Sequence, residues 1–148
     1  MKIGKLNVED INFILSNISL SSMFELSMLN KTIDETRDEF IKYINKEFTG
    51  IFYGNEMKPE AMIILESKGL NKWCVNLITV MGAWEKIGLV LTRFLIQFGT
   101  DLVKRSGGII EAYSPFNYGK YFNWFSVMGF QLDNTNHKGL FRYYKQVR

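Results

Sequence analysis

Between residues 73 and 113 the hydrophobic period changes twice, and few chain paths accommodate that. The segment WCVNLITV alternates as a strand does, with Trp73, Val75, Leu77 and Thr79 on one face and Cys74, Asn76, Ile78 and Val80 on the other. Apolar side chains stand on both faces, which predicts a central strand covered on two sides. Past Gly82 the period becomes helical. Ile87, Leu91, Phe94, Leu95, Phe98 and Leu102 share one side, whereas Arg93, Gln97, Asp101 and Lys104 lie elsewhere. Lys104 and Arg105 in the last turn, then Gly107, supply a helix ending. Residues 109–113, IIEAY, return to a strand. Strand, long helix and strand in succession predict a parallel pair joined by a crossover.

The rest of the chain is arranged around that unit. Residues 2–6 read as a short first strand, and Asn7 with Asp10 as a cap before a helix burying Ile11, Ile14, Leu15 and Ile18. The stretch SLSSMFELSMLN sets Met23, Phe24, Leu26, Met28 and Leu29 among serines, and admits both a short packed helix and an apolar loop. Thr32 and Glu35 have capping-box spacing ahead of a helix burying Ile33, Phe40, Ile41 and Ile44, with Arg37, Asp38, Glu39 and Lys42 in water. Strands follow over 48–53 and 61–66, with turn signals at Gly54-Asn55, Lys58-Pro59 and 67–71, so an antiparallel meander leads into the crossover. After the crossover come a helix up to Gly129, a polar turn QLDNTNHK with Asp133, Asn134 and Asn136, and a final strand over 138–147 with Phe141, Tyr143 and Tyr144. The expected fold is α/β (α+β), with a mixed, mostly antiparallel central sheet and one parallel strand pair around a long crossover helix. Residues 1–148 are expected to form a single domain.

Net charge is +3, from 18 basic and 15 acidic residues, and no basic run appears. Lys120, Arg142, Lys145 and Arg148 read as ordinary surface charges, so nucleic acid is not an expected partner. Cys74 is the single cysteine and excludes an internal disulfide. A buried inert thiol outweighs a nucleophile there, because His137, the one histidine, falls in the polar stretch. The same shortage of soft ligands argues against a metal. MKIGKLNVED is no signal peptide and no apolar run spans a bilayer, so the expected location is the cytoplasm.

A strand entering a long helix that ends in KRSGG, the strand IIEAY, then Asn117 and a helix ending in Met128-Gly129-Phe130 together resemble the GNAT superfamily of acyl-CoA N-acyltransferases. The pattern is also similar to divergent GNAT-like proteins of small tailed phages, which would place the chain in host cytoplasm or a virion. The resemblance implies acetyl-CoA as cofactor and an amine acceptor, on a small molecule or a protein, attacked directly.

It also implies that the coenzyme's diphosphate is gripped where the long helix starts, through QxxGxG or QxxGxA. Free amides and the helix dipole favour an anion there, and glycine lets the backbone approach it. Here that stretch is Ala83-Trp84-Glu85-Lys86-Ile87-Gly88, in which Gly88 alone matches; Ala83 replaces the leading Gln, Lys86 the first glycine, and Glu85 adds a negative charge. Using Gly82 as an alternative register restores no more of the motif. The implied cofactor-binding residues are Ile78 and Val80 on the strand, Lys86, Ile87, Gly88 and Leu89 on the helix, and Asn117, which equally reads as a helix cap. Amides of residues 77–81 are the implied oxyanion donors. The tyrosine of a YxxxGF ending is Phe125, which has no proton to give; Tyr121, one turn earlier, is the substitute acid, although it shares a packing stripe with Trp124, Phe125 and Met128. Glu66 is the first candidate base and Glu111 the second, and both also read as plain strand charges. Two functions stand at this point. One is an N-acetyltransferase; the other is a catalytically impaired GNAT-fold protein acting as a binding or structural partner, in a phage virion or against a host factor. The C-terminal aromatics either fill the core or mark a homodimer contact.

Overall fold

Polar side chains open the first three helices where the sequence offers them. The computed structural model describes residues 2–69, 71–106, 108–117, 119–137 and 139–147, of which 98–100, 102–106, 134–137 and 147 are described by backbone alone. The sequence expectations for the side chains of Phe98, Leu102, Lys104, Arg105, Asn134, Asn136, His137 and Arg148, and for Gly107 and Lys138, lie outside the described residues. After β1 (Lys2–Gly4), Asn7 Oδ1 accepts the Asp10 amide at 2.9 Å and starts α1 (Val8–Ser16). Ser19 Oγ accepts the Ser22 amide at 3.2 Å, so the ambiguous serine-rich stretch is a helix, α2 (Leu20–Met28). Thr32 and Glu35 form the expected capping box of α3 (Ile33–Lys42).

The meander is β2 (Thr49–Tyr53), β3 (Pro59–Ser67) and β4 (Lys72–Thr79). It is followed by α4 (Ala83–Ser106), β5 (Gly108–Ser114), α5 (Gly119–Val127), β6 (Gln131–His137) and β7 (Leu140–Val147). Seven strands bond in the order β1-β2-β3-β4-β5-β7-β6. The expected parallel pair is β4 with β5, in register over Lys72–Cys74 against Ile109–Glu111. The pairs β1–β2, β2–β3, β5–β7 and β6–β7 are antiparallel.

One segment departs from the sequence reading. QLDNTNHK is expected to turn, yet residues 131–137 are a strand with a register shift between Asp133 and Asn136. β6 stands at the end of the sheet, bonded to β7, so the pairing with β7 sets its backbone state. Tertiary pairing has overridden the turn preference of Asn and Asp.

The chain divides into two compact units, Met1–Leu65 with Asn76–Leu91, and Glu66–Val75 with Thr92–Arg148. The core of the first joins Ile11, Ile14 and Leu15 of α1, Leu26 of α2, Phe40 of α3, and Ile51, Met62, Ile64 and Ile78 of the sheet. These are the helix faces predicted by 3.6-residue spacing, except that Ile18, which lies beyond the end of α1, and Ile33, Ile41 and Ile44 pack at its margin. The core of the second gathers Ala112, Phe125, Met128 and Tyr143. Tyr143 therefore fills the interior, one of the two readings open for the C-terminal aromatics. There α5 ends as its sequence predicts: Gly129 takes φ 86°, the Phe130 amide donates to Phe125 O at 3.0 Å, and the Gly129 amide donates to Ser126 O at 3.0 Å. Glycine is needed because that left-handed turn penalises a Cβ. Lys145 Nζ donates to Met128 O at 3.1 Å and completes the cap.

Candidate functional site

In the first unit the chain after β4 turns into α4 through Met81 and Gly82. The segment before α2 is laced along that turn: the Ser19 amide donates to Thr79 O at 2.8 Å, the Met81 amide to Asn17 O at 3.0 Å, and Ile18 bridges Val80. Hydroxyls add to this, with Ser19 Oγ 2.8 Å and Ser22 Oγ 3.3 Å from Thr79 Oγ1, and the Thr79 amide donating to Ser22 Oγ at 3.1 Å. The Val80 amide donates to Glu60 O at 2.9 Å. Amides 79, 80 and 81 are thus already engaged, which corrects the expectation that the whole 77–81 stretch offers oxyanion donors. Ile78 and Val80 turn their side chains into the core.

At the start of α4, Gly82 has φ 77° and nothing within 4 Å of where a Cβ would stand. The backbone is open there. Ala83 is buried and its amide donates to Val80 O at 3.2 Å, while the Lys86 amide donates to Gly82 O at 3.3 Å. Lys86 Nζ lies 3.6 Å from Glu60 Oε1, and its side chain is 61% exposed against 5% for that of Glu60. Glu60 Oε2 is buried without a hydrogen-bond partner among the described residues. Ile87 points inward and Leu89 outward. Gly88 faces Trp84, whose Cε3 would be 3.3 Å from an added Cβ, so packing of the indole gives that glycine its local reason.

Glu25 lies on α2, flanking the buried face made by Ser22 and Leu26. It is half-buried, has no hydrogen bond or ion pair among the described residues, and burial alone pushes its carboxyl up to about 8. Neither Glu25 nor Glu60 emerges from the sequence reading. Their signal is present all the same: each is an acidic residue set inside an apolar run, MFELSML and PEAMIIL.

The second unit holds Glu66, Asn117 and Tyr121. Phe125, at the position where the resemblance implies a tyrosine, is buried and stacks on Tyr143 with centroids 3.9 Å apart. Tyr143 donates its hydroxyl to Phe116 O at 2.8 Å, and burial raises its phenol above the ordinary range. Tyr121 stacks on Phe116 at 4.1 Å, with Lys120 Nζ 5.4 Å from its ring centre. Asn117 stands two residues before α5 begins at Gly119, outside the helix's first turn. Glu66 Oε1 is 3.0 Å from Lys68, at the opposite end of β3 from Glu60. Glu111 is buried with Arg142 Nε at 2.7 Å and Lys72 Nζ at 3.5 Å, so it is a locked structural charge. Arg142 and Lys145, read from sequence as ordinary surface charges, are engaged by protein partners.

No model of a known protein family matches the chain, and no curated protein matches its sequence. Solved structures do. An aminoglycoside 6'-acetyltransferase type Ii is 12% identical, with 100% of this chain and 98% of that one covered at a TM-score of 0.66. The spermidine N-acetyltransferase of Vibrio cholerae, described as dodecameric, is 12% identical over 98% of this chain and 92% of its own, with a TM-score of 0.65. The fold is that of the GNAT acetyltransferases. Acetyl-CoA, the coenzyme that such a fold implies, would meet an open left-handed backbone at Gly82 and the positive end of the 24-residue α4, features whose chemistry fits a diphosphate. Glu85 opposes the anion and Lys86, shared with Glu60, favours it. Among the described residues, no helix is long and apolar enough to cross a membrane, and no group of three or more His, Cys, Asp or Glu is placed to hold a metal ion.

Proposed function

We propose that the chain is an N-acetyltransferase that moves acetyl from acetyl-CoA to an amine by direct attack, with residues 1–148 acting as one GNAT-like domain. The observation that supports this most is the end-to-end likeness in fold to acetyltransferases, one of them described as acting on spermidine. Acetyl-CoA, when bound, supplies the acetyl group as an activated thioester. The backbone from Gly82 to Leu89 and the Lys86 ammonium hold the diphosphate, with Ile78 and Val80 shaping the strand beside them and Asn117 as a further polar contact. Tyr121 keeps a hydroxyl without a protein partner among the described residues and protonates the departing thiolate. Glu66 accepts the amine's proton through water, in competition with its pairing to Lys68.

Calorimetric titration with acetyl-CoA and with free CoA tests this reading. Micromolar binding that weakens in Asn117→Ala and in Lys86→Glu is the expected outcome. Absence of heat and of any thermal shift at millimolar ligand overturns it. A second reading, a GNAT-fold binding or structural protein in a virion or against a host factor, draws on the engaged amides 79–81 and on Phe125. It gains if the coenzyme fails to bind.

A further inference from the structure

The pairing of β2 with β3 slips by one residue at Glu60. Phe52 stands opposite Ala61 and Tyr53 opposite Pro59, which leaves Glu60 as the extra residue of a bulge, a device that re-aims a side chain. Three elements meet at this residue. Its carbonyl accepts the Val80 amide from the end of β4 at 2.9 Å, and its Oε1 lies 3.6 Å from Lys86 Nζ in the first turn of α4. Its carboxyl also presses on the β2–β3 turn, where a Cβ added to Gly54 would stand 3.0 Å from Oε1. Among the described residues, Oε2 is buried without a hydrogen-bond partner and Lys86 is the one cation within 4 Å of the carboxyl.

A buried carboxylate that depends on one cation is sensitive to the loss of that cation. Lys86 is also the cation that an anion at the positive end of α4 would draw. Its contact with Glu60 is long and its own side chain is 61% exposed, so the ammonium has room to turn outward. Once it does, the carboxylate must shift toward water or admit it, and Gly54 lies against the carboxylate. The turn there is poised to respond. It is closed by the Gly54 amide on Lys58 O and the Met57 amide on Gly54 O, both at 3.0 Å, and Met57 holds φ 57°, a left-handed conformation that a side chain disfavours. We infer that Lys86 is a two-position switch, held by Glu60 in the free protein and by a diphosphate when one binds, and that the β2–β3 turn loosens when Lys86 leaves. This rests on the acetyltransferase reading for the natural anion, but the switch itself needs only a diphosphate.

The test is hydrogen exchange on the whole chain, free and saturated with inorganic pyrophosphate or with acetyl-CoA, read at the Gly54 and Met57 amides alongside calorimetric affinities. Either ligand should speed exchange at both amides by up to about fivefold, the worth of a partly exposed ion pair. Lys86→Met should show the faster exchange without ligand. Glu60→Gln should remove the ligand's effect on the turn and tighten pyrophosphate by about twofold to fivefold. A turn that bound pyrophosphate leaves unchanged overturns the inference, and so does a ligand response that persists in Glu60→Gln. If acetyl-CoA binds without moving the turn, the switch fails and the acetyltransferase reading stands. If pyrophosphate binds and loosens the turn while acetyl-CoA does not bind, the acetyltransferase reading fails and the switch stands. Binding of neither at millimolar concentration overturns both.

Discussion

In the second unit, Glu111 is buried but paired to Arg142 at 2.7 Å and to Lys72 at 3.5 Å, and Phe125 and Tyr143 stack on each other with the tyrosine hydroxyl satisfied by Phe116 O. In the first unit, among the described residues, Glu60 keeps one buried oxygen without a partner, Glu25 has none for its carboxyl, and Gly82 holds an open left-handed backbone. Polar groups satisfied by the protein have structural work; groups left unsatisfied are where a fold gives up stability for a ligand. The contrast gives packing to one set of residues and leaves the other open to a ligand. It also says which substitutions should unfold the chain and which should alter binding.

The largest effect should come from Phe125→Ala, which empties a buried ring site and should cost about 3–5 kcal/mol in urea unfolding. Phe125→Tyr is the more pointed variant, since it restores the family's residue. Its hydroxyl would enter a closed aromatic stack, so it should cost about 1–3 kcal/mol and leave turnover unchanged. A gain in turnover would break the comparison by making the aromatic core part of the chemistry. Next in size is Arg142→Ala, which takes from buried Glu111 the nearer of its two cations and should cost about 3 kcal/mol. Replacing both partners, Glu111→Leu with Arg142→Met, should recover most of that in the same unfolding assay.

These residues also show what the sequence discloses. The crossover, the caps at Asn7 and Thr32 and the Gly129 helix ending follow from local periodicity and backbone preference, so they are legible in one chain. Gln131–His137 is not, because its strand state comes from pairing with β7 and not from its own residues. The site divides in the same way. The start of α4 is found from a motif, even a degraded one, whereas the engagement of the 79–81 amides depends on Ser22, Glu60 and Asn17, all distant in the chain. Glu25 and Glu60 matter through the absence of a partner, and only three-dimensional placement can show that.

A smaller effect, opposite in sign, is expected at Glu25. Below about pH 4 its carboxyl is protonated in the folded and the unfolded chain alike, and Glu25→Gln should not change stability. Between 4.5, the ordinary value, and about 8, the folded chain keeps a proton that the unfolded chain has released. Wild-type stability then falls by ~1.4 kcal/mol per pH unit and levels off above the folded value. Glu25→Gln should therefore become the more stable protein as pH rises, read as a growing gap in melting temperature between about pH 5 and pH 9. A constant gap would place the carboxyl in water and erase the distinction between the units.

The smallest effect on stability, and the finest test of the contrast, is at Lys86. Its contact with Glu60 is long, 3.6 Å, and its side chain is mostly exposed, so Lys86→Met should change unfolding free energy by less than ~1 kcal/mol. Coenzyme affinity should nevertheless fall several-fold, because the lost charge stands on the first turn of α4, where an anion gains from it. Glu60→Gln sharpens the point from the other side. It releases Lys86 from its protein partner and removes a negative charge near the helix start, so acetyl-CoA should bind more tightly, and more so at low salt. If both substitutions alter stability but neither alters affinity, the pair is structural, and the first unit joins the second in using its charges to hold itself together.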